Sequence, residues 1–198
     1  MSKGGLIAVA GIIGVGKTTL AQGLADILSG RVILEEYDRN PFLASEFAGR
    51  KDAALPSELF FLLSRARQLY KQAITDDEAA VCDYIFDKNR IYAEFNLAAD
   101  QFAIYRQVEA SIEPHLARPQ IVIYLRDTIE NCLGRIARRG REYEKNISSG
   151  WLSRLHAAYE ELFHDWSYCP VIRIDCARDD IRRQETVKRI AGQLLCST

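Results

Sequence analysis

Gly11-Ile12-Ile13-Gly14-Val15-Gly16-Lys17-Thr18 follows an apolar run at 6–9 and precedes a segment whose apolar residues, Leu20, Leu24, Ile27 and Leu28, recur at helical spacing. The octapeptide is G-x-x-x-x-G-K-[ST] in the setting that motif requires, a strand before it and a helix after it. Glycines let the backbone curl until its N–H groups face an anion, and the helix N-terminus adds a favourable dipole. Lys17 then neutralises the outer phosphates, and the Thr18 hydroxyl offers a ligand for Mg²⁺. Gly11, Gly14, Val15, Gly16, Lys17, Thr18 and Thr19 are therefore the residues expected to hold a nucleoside triphosphate. The motif leaves open whether the γ-phosphate passes to water, to a small molecule or to a protein.

Outward from this loop, short apolar runs at 31–34, 80–82, 120–125 and 171–175 alternate with helix-period segments at 18–28, 56–74, 91–112, 128–138, 151–166 and 183–195. Five strands separated by helices predict an α/β fold, a parallel sheet covered by helices on both faces, the three-layer sandwich of a P-loop NTPase. Ser29-Gly30 supplies the stop of the first helix. In such sheets ligands bind beyond the carboxyl ends of the strands, which directs attention to the residues just after Val9, Leu34, Cys82 and Leu125.

The 198 residues suffice for one domain, 1–198, and no linker, repeat or low-complexity block divides them. With 48% hydrophobic residues, 12 Gly and 5 Pro, the chain is neither collagen-like nor disordered. The 26 Lys+Arg against 27 Asp+Glu leave a net charge of -1, which predicts no binding to nucleic acid or to a membrane surface by bulk charge. The apolar stretch around the glycine loop is too short to span a bilayer. Cys82, Cys132, Cys169, Cys176 and Cys196 are odd in number and never in C-x-x-C spacing, so they read as reduced, mostly buried thiols of a cytoplasmic protein. His115, His156 and His164 do not cluster with them, and no metal-ligand set of that kind is expected.

The second strand runs into Glu35-Glu36, which puts a carboxylate at the same sheet edge as the loop. A phosphoryl acceptor with a hydroxyl needs a base within hydrogen-bond reach, and either acid is a candidate. Asp83 ends the third strand, where it holds Mg²⁺ or caps the next helix. Of the 26 basic residues 19 are Arg, and Arg135, Arg138, Arg139 and Arg141 lie together around Gly140. Guanidinium forks suit a transferring phosphoryl group, and a glycine permits the segment to hinge as a lid, about 135–149.

With these pieces in order, the chain resembles the deoxycytidine, deoxyguanosine and deoxyadenosine kinases, the deoxynucleoside kinase family, over nearly its whole length. The shared stretches are Gly11 to Thr18, Glu35-Glu36 followed by Asn40-Pro41-Phe42-Leu43, Leu62-Leu63-Ser64-Arg65, Asp83-Tyr84-Ile85-Phe86, the arginine segment Arg135 to Glu144, and Leu155-His156 with Trp166 downstream. The resemblance implies ATP-dependent 5′-phosphorylation of a deoxyribonucleoside in nucleotide salvage by a homodimer, with strand order 2-3-1-4-5. It makes the acid ending the second strand the base, and counting back from Asn40-Pro41 favours Glu35 over Glu36. It makes Arg135, Arg139 and Arg141 the lid arginines and Glu144 the carboxylate for the 3′-hydroxyl. Phe42, Phe61 and Phe102 are candidates for stacking on a base.

Departures from the family bear on the acceptor. Glu58 stands seven residues before Arg65, where a base-reading Gln is common, and an ionised Glu offers only acceptors. Asn89 replaces an Asp that often pairs with that Arg, Phe47 replaces a sugar-contacting Tyr, and Tyr84 occupies an Arg position whose charge Lys88 can supply. The Asp-Tyr form occurs in bacterial members, and by that resemblance a purine deoxynucleoside is expected. Two rival readings use the same residues: a nucleoside monophosphate kinase of the thymidylate kinase kind, and a nucleotide-binding module without turnover.

Overall fold

Alternate residues of the apolar run at 80–82 pack into different clusters, as a sheet covered on both faces demands. In the computed structural model of the chain, which describes residues 4–75 and 77–196, Ala80 and Cys82 join Leu6, Ile33 and Leu69, whereas Val81 joins Val9, Leu20, Leu24 and Ile123. The strands are β1 (Gly5–Ala10), β2 (Arg31–Ile33), β3 (Ala79–Cys82), β4 (Ile121–Arg126) and β5 (Val171–Asp175). They form one all-parallel sheet in the order β2-β3-β1-β4-β5, with Ile7 of β1 beside Val81 on one side and Ile121 on the other. The expected topology is therefore present, and all five strands point their carboxyl ends to the edge that carries the glycine loop.

Helices α1 (Lys17–Leu28), α2 (Leu43–Phe47), α3 (Lys51–Leu69), α4 (Lys88–Asn96), α5 (Ala99–Ile112), α6 (Ile129–Arg139), α7 (Ser149–His164) and α8 (Gln184–Cys196) complete the chain. The four apolar residues Leu20, Ala21, Leu24 and Ala25 give α1 its buried stripe. Its stop differs in detail from the expectation. Ser29, not Gly30, takes the left-handed backbone (φ 51°), and its N–H reaches the Ala25 and Asp26 carbonyls. Gly30 is needed for a different reason, since a Cβ there would run into the Ala79 carbonyl as the chain enters β2.

Three helix boundaries depart from the sequence pattern. The segment expected at 56–74 begins earlier, at Lys51, and carries Pro56 within its second turn. The single helix expected at 91–112 is two helices, because Leu97 and Ala98 are extended and the Ala98 N–H bonds to the Gln101 side chain. The short α2 falls in a stretch where no element was expected; it sets Glu46 and Phe47 on the same side as the loop. Among the described residues no helix is long and apolar enough to cross a membrane. Cys82, Cys132 and Cys176 are buried free thiols and Cys169 is half-buried; the side chain of Cys196 lies outside the described residues.

Under β4 and β5, Tyr124 stacks on Phe163 of α7 with ring centroids 4.3 Å apart, and Phe163 also meets Trp166 at 5.3 Å. Phe163 is 2% exposed, so truncation leaves a cavity that the surrounding rings fill only in part. Phe163→Ala is expected to cost about 3–5 kcal/mol, read from the midpoint of urea unfolding at unchanged slope.

Candidate active site

The loop between β1 and α1 is shaped by glycines at positive φ. Gly14 (φ 81°) has no room for a Cβ, which would lie 2.6 Å from the Cys132 carbonyl oxygen, and Gly16 (φ 111°) caps α1. The loop forms one wall of a cavity of about 630 Å³. Lys17 projects from the start of α1 and donates to the Ile12 carbonyl at 3.0 Å. Loss of water around its ammonium, and the neighbouring Lys88 charge, bring its pKa down to about 8. Thr18 and Thr19 are exposed at the same helix end.

Asp83 ties three elements together. Its Oδ2 accepts from the Thr18 hydroxyl at 2.6 Å and its Oδ1 from the Glu35 backbone N–H at 3.0 Å. It therefore fixes the exit of β2 against the loop and does not cap α4. The hydroxyl and carboxylate oxygens of Thr18 and Asp83 are the donor chemistry a hard cation takes, and they fit Mg²⁺.

Glu35 is the carboxylate the fold delivers to the cavity. Its Oε1 accepts from Arg65 Nε and Nη2, and Lys88 Nζ approaches its two oxygens at 2.8 and 3.0 Å. Burial alone would raise its pKa, but the Arg65 and Lys88 charges outweigh that and hold it well below the usual carboxylate range. Arg65 and Lys88 are themselves 3% and 4% exposed. The Arg65 guanidinium also donates to the Asn89 amide oxygen and lies 4.6 Å from the Phe61 ring centroid.

Glu36 goes elsewhere. Adjacent residues after a strand point to opposite sides, and its carboxylate accepts from Arg39 at 2.8 Å and from Ser64 and Arg67 at 2.6 Å, outside the cavity lining. The geometry thus separates the two acids that the sequence left paired. Two of the three phenylalanines considered for a base also fall outside the lining. Phe42 is 39% exposed, and Phe102 stacks on Tyr105 between α3 and α5; only Phe61 faces the cavity.

The arginine segment closes the other wall. Gly140 ends α6 in the left-handed conformation (φ 68°), and a tight turn at Glu142–Glu144 follows. Arg139 grips the Glu144 carboxylate through Nε at 3.1 Å and Nη2 at 2.7 Å, and Arg141 adds a contact at 3.3 Å. Arg135 pairs with Asp127 and reaches the Gly14 carbonyl at 3.3 Å, whereas Arg138 is exposed and does not line the cavity. Phe47 faces Tyr143 with centroids 5.5 Å apart. Glu58 lines the cavity floor beside Glu46 and Asn96. The sequence reading missed Tyr37, whose ring lies 3.5 Å beneath the Arg141 guanidinium, the lining residues Glu46, Tyr92 and Asn96, and Asp127, which holds Arg135. Asp127 had a signal, since it stands just past the end of a strand.

A phosphate loop, strand-end carboxylates and an arginine-rich wall around one cavity are the parts of a phosphotransferase that acts on nucleotides. The family model for deoxynucleoside kinases matches residues 7–194, and the chain belongs to that family of kinases. It is 32% identical over 163 residues to a deoxyguanosine kinase of Bacillus subtilis, covering 81% of this chain and 79% of that protein. It is 30% identical over 204 residues to a deoxyadenosine/deoxycytidine kinase of the same organism, covering 97% and 92%. A solved structure of deoxyadenosine kinase from M. mycoides, described with dCMP and dCDP, superposes with a TM-score of 0.82 at 22% identity, over 98% of this chain and all of that one.

The carboxylate of Glu35 stays ionised because two cations face it, and its contribution to stability follows from that. With a folded pKa below its ordinary value of 4.5, it contributes stability that is present above that pH and is lost as the pH falls through the depressed value. Lys88→Met is expected to move the Glu35 titration upward, followed by carboxyl ¹³C chemical shifts. It should also cost on the order of 1–3 kcal/mol at neutral pH, from the lost charge-assisted hydrogen bonds.

Proposed function

We propose that the protein transfers the γ-phosphoryl group of ATP to the 5′-hydroxyl of a deoxyribonucleoside, with purine deoxyribonucleosides the preferred acceptors. The observation that carries this reading is Glu35, an ionised carboxylate held by Arg65 and Lys88 in the same cavity as the Lys17 loop. The names of the Bacillus relatives support the nucleoside as acceptor.

In this reading the 5′-oxygen attacks the γ-phosphorus while the bond to the ADP oxygen breaks, and the hydroxyl proton passes to Glu35. A carboxylate with so low a pKa is a weak base. A loose phosphoryl transition state asks little of it before the new bond has formed, so its main work is to orient the hydroxyl. Lys17 and the loop N–H groups hold the donor phosphates, and Arg135, Arg139 and Arg141 face the charge that spreads over the transferring group. Mg²⁺, held by Thr18 and Asp83, would neutralise donor phosphate charge. Glu144, already gripped by two arginines, is the acceptor for the sugar 3′-hydroxyl. Residues 135–149 act as a lid.

A monophosphate acceptor fits this geometry less well, because Arg65 and Lys88 are committed to Glu35 and an incoming phosphate would meet that carboxylate. We place the protein in the cytoplasm, in keeping with its free thiols, and as a homodimer. Exposed Leu63 on α3 and Ile104 on α5 offer apolar surface for a second copy, and sedimentation equilibrium tests that assembly.

Incubation with Mg·ATP and each deoxynucleoside in turn, followed by chromatography, should yield a 5′-monophosphate from at least one purine deoxynucleoside; no product from any acceptor overturns the reading. Glu35→Gln should lower kcat by about 10²–10⁴ with ATP binding little changed. Full turnover in that variant would move the base assignment to another group.

A further inference from the structure

Among the described residues three buried side-chain polar atoms lack a partner: Glu58 Oε2, Tyr105 Oη and Tyr143 Oη. Two of their residues, Glu58 and Tyr143, line the cavity, and Tyr105 lies close enough to Glu58 to feel its charge. Buried polar atoms without partners are rare, and in a cavity wall they mark where a ligand's polar groups belong. Glu58 is 2% exposed. Its Oε1 accepts from Asn96 Nδ2 at 2.7 Å, and the same Nδ2 bonds Glu46 Oε1 at 2.7 Å, so one amide bridges the buried Glu58 carboxyl and the half-buried Glu46 carboxyl.

Two carboxyls bridged by one amide nitrogen and largely withdrawn from water repel each other when both ionise, which favours one retained proton on the pair. Burial, followed by the Glu46 charge, pushes Glu58 up to about 8. The other groups facing it are Arg65 on α3, which favours ionisation, and the phenols of Tyr92 on α4 and Tyr105 on α5. Burial keeps both phenols neutral. A protonated Glu58 is one acceptor and one donor side by side, the pattern of the amide that the family commonly carries at this position.

We propose that Glu46 and Glu58 share one proton, that it resides on Glu58, and that the neutral acid reads a base edge where an exocyclic amino group adjoins an unprotonated ring nitrogen, as in adenine and cytosine. The amino group donates to Oε1, and the Oε2 hydroxyl donates to the ring nitrogen, so both oxygens of Glu58 gain partners. Loss of the proton leaves two acceptors. These repel the ring nitrogen but accept the adjacent N1–H and N2–H donors of guanine.

The inference rests on the nucleoside-kinase reading, and the test separates the two by measuring binding without turnover. Calorimetry with deoxyadenosine, deoxycytidine and deoxyguanosine, at about pH 6.5 and about pH 9, is run on the wild type and on Glu58→Gln. A group titrating near 8 is about one-tenth protonated a pH unit higher, so wild-type affinity for deoxyadenosine should fall roughly tenfold between the two pH values. The Gln variant should bind deoxyadenosine equally at both, and wild-type deoxyguanosine binding should not fall. Deoxycytidine binding with the same pH response would extend the edge to pyrimidines; a failure of deoxycytidine to bind assigns it to adenine alone. Equal wild-type affinity for deoxyadenosine at both pH values overturns the proposal, as does the same loss in the Gln variant. A Glu58 carboxyl that titrates in the ordinary carboxylate range by ¹³C shift overturns it independently of any nucleoside.

Discussion

Arg65 and Lys88 are almost completely withdrawn from water, and each would carry a large desolvation cost if it stood alone. Both face Glu35, so their charges are compensated inside the protein, and the compensation has a structural cost of its own: the exit of β2 must come to α3 and α4. Asp83 sets that exit by accepting the Glu35 N–H with one oxygen and the Thr18 hydroxyl with the other. One carboxylate just past β3 thereby aligns the phosphate loop with the Glu35 carboxylate. The cluster also explains why a lysine and an arginine coexist near a residue cast as a base. They keep it unprotonated, and they trade basicity for position.

The opposite wall follows a different rule. Arg139 and Arg141 are a quarter to a third exposed at the side chain, and they satisfy a Glu144 that is itself buried. A buried carboxylate is what gives the arginine segment a defined shape around Gly140, where the backbone supplies little stiffness of its own. Arg135 is drawn instead to Asp127 at the end of β4, next to the loop carbonyl of Gly14, so the three arginines do not act as one uniform patch.

Much of the fold was legible because the loop motif and the five apolar runs are local signals, and a parallel sheet covered on both faces is the arrangement that buries such runs. Helix boundaries were less so. The break at Leu97-Ala98 carries neither Gly nor Pro, and α2 is too short for its periodicity to register. In the site, Lys17, Thr18, Asp83 and the arginine segment could be named from spacing. Between Glu35 and Glu36 the count back from Asn40-Pro41 only favoured Glu35, because the choice depends on which face of the strand exit turns inward, and that is fixed by Arg65 and Lys88 from other helices. Glu46 and Asn96 were invisible for a similar reason: a carboxyl pair bridged by an amide is assembled from α2, α3 and α4, and no single stretch of chain reveals it.

The cavity wall carries six cationic side chains, Lys17, Arg65, Lys88, Arg135, Arg139 and Arg141, against five carboxyls, Glu35, Glu46, Glu58, Asp83 and Glu144. Its local charge is positive on a chain whose total is -1. A low-dielectric cleft of one sign focuses field lines outward, so polyanionic nucleotides are guided to the mouth while the remaining surface is close to neutral towards them. Encounter therefore belongs to the long-range field and weakens as added salt shortens the screening length, whereas the residence of the bound nucleotide is governed by the short contacts within. Capture and retention are in this way assigned to different distances from the same set of arginines and lysines.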